Sequence, residues 1–486
     1  MSALAARSRA SRRLPVLVLV VVAVAAGVAA GQSHAPAVAR PREPVDATQL
    51  PTTDAVSTAW YCPGVPASFP LSDQTFTLSN LGSRPAQAAV TVHPDNGSAP
   101  VTHTVTVPRA TVRSFGRATL PSGPLVIEPF SPDVVVSAGL ESADQLSTVP
   151  CATNAGTDWY FAAGTTVRGV AQWLVLEDPF AADARVDIVL RTDAGLQELP
   201  SLSGLDVPGR SRVVIPIHDQ AVRRDRVSVE VHAVVGQVVA SQTIQYGAPT
   251  GTPGVATSIG AVKPASSWWF TGGDTRTGAS EVVAIANIGQ LDAQVNVQAQ
   301  TAAKQIVHPV QVTVPSGGVS WVQVGGCTDS ANSCLDVPAR IGYVLLVQSD
   351  SDAPIVAQTL SRFDGEGDST LGVATSIGSA HPSRHWVIAR IGARGRRSTS
   401  VALSDPGLKA ARVSVAIVRG GLIERPAELQ RVRIAPGQRY VVPVGDPSAG
   451  GPLGGAVVIT SDVPIFAAST IYADNDATRA PGIPER

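Results

Sequence analysis

Val283-Ala284-Ile285-Ala286-Asn287-Ile288 is a short apolar strand that ends on an amide and turns, and the chain makes such a strand, ending on an amide or acidic residue, four times. The other copies are Phe76-Thr77-Leu78-Ser79-Asn80-Leu81, Trp173-Leu174-Val175-Leu176-Glu177-Asp178-Pro179 and Val401-Ala402-Leu403-Ser404-Asp405-Pro406. Working outward from each, an alternating strand follows: Val90-Thr91-Val92, Val186-Asp187-Ile188, Val295-Asn296-Val297 and Val413-Ser414-Val415. Next comes a strand stopped by proline, at Pro108, Pro208, Pro315 and Pro436. Upstream, each copy opens on an aromatic: Trp60-Tyr61, Trp159-Tyr160-Phe161, Trp268-Trp269-Phe270 and Trp386. A closing hairpin is clear in the last two copies, Ser349-Asp350 to Pro354-Ile355-Val356-Ala357 and Ser461-Asp462-Val463-Pro464-Ile465-Phe466-Ala467. Self-similarity at a long fixed period marks a repeated structural unit.

Apolar and polar residues alternate as half-buried strands require, and Val and Thr, which suit a pleated surface, dominate. Turn signals such as Pro94-Asp95-Asn96-Gly97 and Pro436-Gly437 recur between strands. Several short strands in about 100 residues predict an antiparallel, immunoglobulin-like sandwich. The fold class expected is therefore all-β, four tandem immunoglobulin-like β-sandwich repeats after an N-terminal signal or anchor helix. A β-propeller is the alternative, but its blades need only about 40 to 50 residues each. The boundaries read as 1–30 signal peptide or membrane anchor, 31–57 disordered tether, 58–152 repeat 1, 153–250 repeat 2 and 251–262 linker. They continue as 263–364 repeat 3, 365–382 linker, 383–475 repeat 4 and 476–486 disordered tail. The two linkers share seven identical residues, Gly254-Val255-Ala256-Thr257-Ser258-Ile259-Gly260 and Gly372 to Gly378. Their Val, Ile and Thr content points to packing along a neighbouring unit.

The N-terminus carries Arg7, Arg9, Arg12 and Arg13 ahead of an apolar run from Leu14 to Ala30, ending in Val28-Ala29-Ala30. Positive flank, apolar stretch and small-residue exit mark a secretory signal for the general secretory route. An uncleaved single-pass anchor is the alternative, the run being near the lower limit of a membrane span. Loss of residues 1–30 removes four arginines and no acid, moving the formal charge from −1 to −5. A mildly acidic body argues against nucleic acid as a partner. Membrane contact is expected only through the N-terminal segment, if that is retained.

Four cysteines in an exported chain point to disulfides. Cys62 lies on the opening strand of repeat 1 and Cys151 just after that repeat, while Cys327 and Cys334 flank a short insertion in repeat 3. Three pairings are formally open, and these positions favour Cys62–Cys151 and Cys327–Cys334. No catalytic dyad, phosphate loop, serine elbow or zinc signature stands in the sequence, and no cofactor is implied. His381 and His385 are four apart, but Pro382 argues against the helix that a metal pair would need. Asp364, Glu366 and Asp368 form a weak calcium candidate, with oxygen ligands at alternate positions among glycines, and Asp474-Asn475-Asp476 holds the equivalent place after repeat 4. Arg390, Arg394, Arg396 and Arg397 form the one basic stretch, a candidate surface for anionic ligand. The Asx residues ending the first marked strand, Asn80, Asp178, Asn287 and Asp405, read as turn formers bonding to their own loops.

Trp159-Tyr160-Phe161-Ala162-Ala163-Gly164-Thr165-Thr166, the Leu-x-Asp-Pro strand and the Ser-Asp-x-Pro-Ile-Val-Ala hairpin resemble the repeats of bacterial secreted surface proteins. Trp60-Tyr61-Cys62-Pro63-Gly64 with Pro150-Cys151-Ala152 resembles a family of actinobacterial exported proteins of undefined function. The resemblance spans most of residues 58 to 472. It implies envelope location and β repeats and carries no catalytic residue. The expected role is a non-enzymatic exported cell-envelope protein, a structural spacer or binding module for wall glycan or an envelope partner protein. The alternative is an accessory carbohydrate-active enzyme with carboxylates paired between domains.

Overall fold

The computed structural model describes residues 46–51, 58–142, 145–301, 307–327, 333–350, 353–366, 370–392, 398–442, 444, 454–473 and 476–485. All of these belong to one unit, Val45–Arg486. The signal segment, residues 31–45 and 52–57 of the tether, Asp368, Arg394, Arg396, Arg397, Asp474 and Asn475 lie outside the described residues.

Repeat 1 sets the pattern with eight strands: β1 (Trp60–Cys62), β2 (Gln74–Asn80), β3 (Ala86–Val92), β4 (Val101–Val107), β5 (Thr111–Gly116), β6 (Leu125–Pro129), β7 (Val134–Glu141) and β8 (Leu146–Pro150). They form two antiparallel sheets, β1-β6-β3-β4 and β5-β2-β7-β8. Repeat 2 repeats both orders, with Asp158–Phe161 as the counterpart of β1 and Gly254–Ile259 as that of β8. Repeat 3 does the same from Ser267–Asp274 to Leu371–Ile377, adding a two-residue parallel strand at Cys334–Leu335. In repeat 4 one long strand, Gly455–Tyr472, serves both sheets, taking the places of β6 and β7. Each unit is a two-sheet sandwich, so the sandwich reading holds and the propeller-blade alternative does not.

The marks read in the sequence have structural causes. Each opening tryptophan (Trp60, Trp159, Trp268, Trp386) is buried inside its sandwich. Three of them donate their indole N–H to a carbonyl at the equivalent start of the β7 strand: Val238, Ile355 and Ile465, at 2.8, 2.9 and 2.8 Å. This anchors the largest apolar side chain while satisfying its one polar atom. The four Asx residues are also buried. Their side-chain oxygens accept the backbone N–H two residues on, at Gly82, Phe180, Gly289 and Gly407. They are Asx turns, as expected.

Three boundaries change. The segments 251–262 and 365–382, expected as linkers, contain strands paired to the β7 counterparts of repeats 2 and 3. The tail 476–486 contains Ala477–Pro481, the eighth strand of repeat 4. The hairpin taken as the last is therefore followed by one more strand in every repeat. These strands escaped notice because both faces are buried: Gly254–Ile259 is buried at every position, which removes the alternation that normally flags a strand. The tether is also ordered at its end. Ala47 is buried and its carbonyl accepts the Thr153 N–H.

Candidate functional site: the four-strand axis

The eighth strands are small-residue sequences: Leu146-Ser147-Thr148-Val149-Pro150, Gly254 to Ile259, Leu371 to Ile377 and Ala477-Thr478-Arg479-Ala480-Pro481. Each is an edge strand of its sheet, a position that ordinarily exposes unpaired backbone groups. Here each packs against the eighth strands of the repeats on either side, repeat 1 against 2, 2 against 3, 3 against 4, and 4 against 1. The four sandwiches thus close into a ring around a four-strand axis. Hydroxyls bridge neighbouring strands: Ser147 Oγ lies 2.6 Å from Thr257 Oγ1, and Thr478 Oγ1 accepts the Thr148 N–H at 3.0 Å.

One carboxylate ties all four strands. Asp476 Oδ2 accepts N–H bonds from Leu146 and Val255, both at 3.0 Å, and Oδ1 accepts those of Val373 and Ala477, at 3.1 and 2.9 Å. These donors occupy the same register position in the four repeats, opposite Glu141, Gln245, Arg362 and Tyr472. Asp476 is buried, and burial pushes its carboxyl up to about 8 against the pull of the four N–H groups. The identical glycines of the two repeated heptads follow from this. A Cβ on Gly254 would stand 2.7 Å from Asp476 Oδ1, and one on Gly372 only 2.6 Å from its Cα. Either would collide with the carboxylate.

Farther along, the strands line a small axial cavity that is partly open to solvent. Its wall runs through Val149 and Pro150, Thr257 to Val262, Thr375 to Ala380 and Pro481, Gly482 and Pro484. Asp46, Ala47 and Thr48 also line it. They belong to a strap that crosses from repeat 1 to repeat 4. Thr48 Oγ1 donates to the Cys151 carbonyl at 3.0 Å, and Leu50 N–H donates to Pro484 O at 2.9 Å.

Polar side chains hold the seams between repeats. Between repeats 1 and 2, Arg212 pairs with Asp95 at 2.9 Å and donates to the Pro63 and Val65 carbonyls. Burial alone would raise the Asp95 carboxyl, but this guanidinium holds it below its usual range. Glu177, at the same seam, is fully buried, and burial pushes its carboxyl well up. Between repeats 2 and 3, Gln358 takes the Ala163 N–H and donates to Ser258 Oγ and Thr375 Oγ1. Between repeats 3 and 4, Arg479 pairs with Glu281, both buried, and Trp269 stacks on Phe466 at 5.2 Å. Between repeats 4 and 1, Arg390 pairs with Glu141 at 2.7 Å, and Ser79 Oγ donates to the Ala389 carbonyl.

Several expected sites take other roles. Arg390 was placed on a ligand surface, yet its side chain is 8% exposed and committed to Glu141. It sits on a strand whose outer face meets repeat 1, a burial that a local arginine count could not show. Asp364 forms an Asx turn with the Glu366 N–H at 2.9 Å. Asp476, noted beside that weak calcium motif, is saturated by backbone donors. The disulfides are Cys62–Cys151 and Cys327–Cys334. Sequence reading gave no role to Arg479 or Glu281, passed over Glu177 as one residue of a marked strand, and noted Asp476 only beside the calcium motif. The glycine starting each repeated heptad was the available signal, since it vacates the space that the carboxylate fills.

The model of a family of unknown function, DUF5719, matches residues 128–256 and 253–480. The chain belongs to the DUF5719 family. The match to DUF5719 runs from β6 of repeat 1 into the strand Ala477–Pro481 of repeat 4. No curated protein matches this DUF5719 chain. Among solved structures, it is similar to one described as Thermotoga maritima 1070, at 20% identity, covering 24% of this chain and 94% of that one, with a TM-score of 0.20. The Anabaena sensory rhodopsin transducer matches at 25% identity over 19% and 93%, with a TM-score of 0.17. A tetra-tandem repeat from the extending region of a large adhesion protein matches at 12% identity over 86% and 96%, with a TM-score of 0.10. Two disulfides fit an oxidising compartment, and among the described residues no helix is long and apolar enough to cross a membrane.

Proposed function

We propose that this chain is a non-enzymatic, exported cell-envelope protein that serves as a rigid spacer or as a binding module for wall glycan or an envelope partner protein. It leaves the cell by the general secretory route, with the N-terminal apolar segment either removed or kept as an anchor. The observation that carries this reading is the fate of the acids between repeats. Asp95, Glu141, Glu281 and Asp476 are each held by an arginine or by backbone N–H groups, and Glu177 is sealed from solvent. An inter-domain glycosidase would need two carboxyls facing one another across an open cleft, about 5 to 9 Å apart. The seam acids are spent on closing the ring instead, which supports the non-enzymatic reading over the carbohydrate-active one.

The mature protein, immobilised and exposed to envelope extract with isolated wall polymers as competitors, tests this. Saturable binding that one polymer competes identifies a binding module, and absence of any capture points to a spacer. Cleavage of wall glycan that disappears on a single Asp or Glu substitution overturns the proposal.

A further inference from the structure

We propose that Asp476 is a ring lock: repeats 1 to 3 present an unfilled arc of backbone donors, and the fourth repeat supplies the single carboxylate that closes them into a ring. The donors are Leu146, Val255, Val373 and Ala477, one from each repeat and in one register. In the first three repeats the residue before the donor is Gln145, Gly254 and Gly372, so none of these supplies an acid. Gly254 and Gly372 leave room for one carboxylate and no second side chain. The arrangement is therefore asymmetric by construction, with four equivalent donors and one acceptor carried immediately ahead of the last of the four strands.

The lock has two consequences. Without it, three N–H groups from three other repeats, up to 330 residues away in sequence, would be buried together with no acceptor, and each would carry the full cost of an unmade bond. It also makes closure of the axis depend on repeat 4. The apolar clusters of repeats 1 to 3 already run into neighbouring repeats, yet the axis is incomplete until the strand Ala477–Pro481 docks against β8 and the strand Leu371–Ile377.

Amide hydrogen exchange on the full chain tests the lock, read at the four donors in the wild type, Asp476→Ala and Asp476→Asn. A role confined to folding repeat 4 would move only Ala477 and its own strand. The lock requires exchange at Leu146, Val255 and Val373 to accelerate together in Asp476→Ala, by tenfold or more, while amides inside the sandwiches such as Val136 stay protected. Asp476→Asn keeps the shape but offers one acceptor oxygen, so two of the four donors lose protection and two keep it. This second variant carries the test if Asp476→Ala does not fold. Unchanged exchange at the three remote donors in either variant overturns the proposal.

Discussion

The interior of a sandwich and the axis of the ring are built on opposite plans. Each interior is apolar and redundant: the same tryptophan, the same alternating strands and the same Asx turn occur four times. The axis and its seams add to shared apolar contacts a set of polar ones that differ from seam to seam. One carboxylate serves four strands, one Arg–Glu pair is buried between repeats 3 and 4, and the 2–3 seam relies on a glutamine instead. Duplication of a unit explains the first plan, since each copy inherits its own core. It cannot supply the second, because identical copies would place four acids or none at one point on the axis. The chain becomes one ring where its copies have diverged.

This contrast is broken most severely from the interior side. Trp159→Ala removes a fully buried indole and the N–H bond to Val238 O. It is expected to cost about 3–5 kcal/mol, the usual range for a large aromatic cut to alanine in a core. Urea unfolding followed by tryptophan fluorescence and by far-UV circular dichroism measures it. Because the damage lies inside one sandwich, exchange protection should fall first in repeat 2, and equal loss across all four repeats would show that the sandwiches are not separate cores.

A seam mutation should be somewhat milder and should behave differently when paired. Arg479→Met strands the Glu281 carboxylate at a buried site, at an expected cost of about 3 kcal/mol. Replacing both partners, Glu281→Met with Arg479→Met, leaves no uncompensated charge, and most of the loss should be recovered. A double variant as unstable as Arg479→Met alone would mean that the pair is needed for more than mutual neutralisation. No such rescue is available to Trp159, whose loss leaves a cavity rather than a charge.

The same contrast explains what the sequence made legible. The interior announces itself locally: Val90-Thr91-Val92 alternates because one face is in and one is out, and Asn80 or Asp405 turns the chain within a few residues. The axis does not. Gly254–Ile259 is buried on both faces, so its pattern is flat and reads as a linker. Ala477–Pro481 looks like a tail because its pairing is justified only by the three strands it joins. Glu281 and Arg479 stand 198 residues apart, and nothing about either alone marks it as half of a pair. Arg390 reads as part of a basic surface because the acid that neutralises it, Glu141, lies in a different repeat.

The smallest effect expected is the dependence on pH that Asp476 adds at the axis. The Asp476 carboxyl sits at about 8 in the ring because it is buried, against about 3.9 in an unfolded chain. A carboxyl raised by folding favours the ring fully while it is neutral in both states, below about pH 4. As pH rises the unfolded chain ionises first, so this contribution declines and is gone once pH passes about 8. Asp476→Asn cannot titrate, so the stability of the wild type relative to this variant should shrink as pH rises. Across the single unit from pH 6 to 7 the change is at most about 1.4 kcal/mol, measured as the gap between the two urea midpoints. Trp159→Ala leaves every carboxyl in place, so its gap from the wild type should stay level over the same range. If the Asp476→Asn gap widens with pH, the four N–H donors outweigh burial and the carboxylate is charged in the ring.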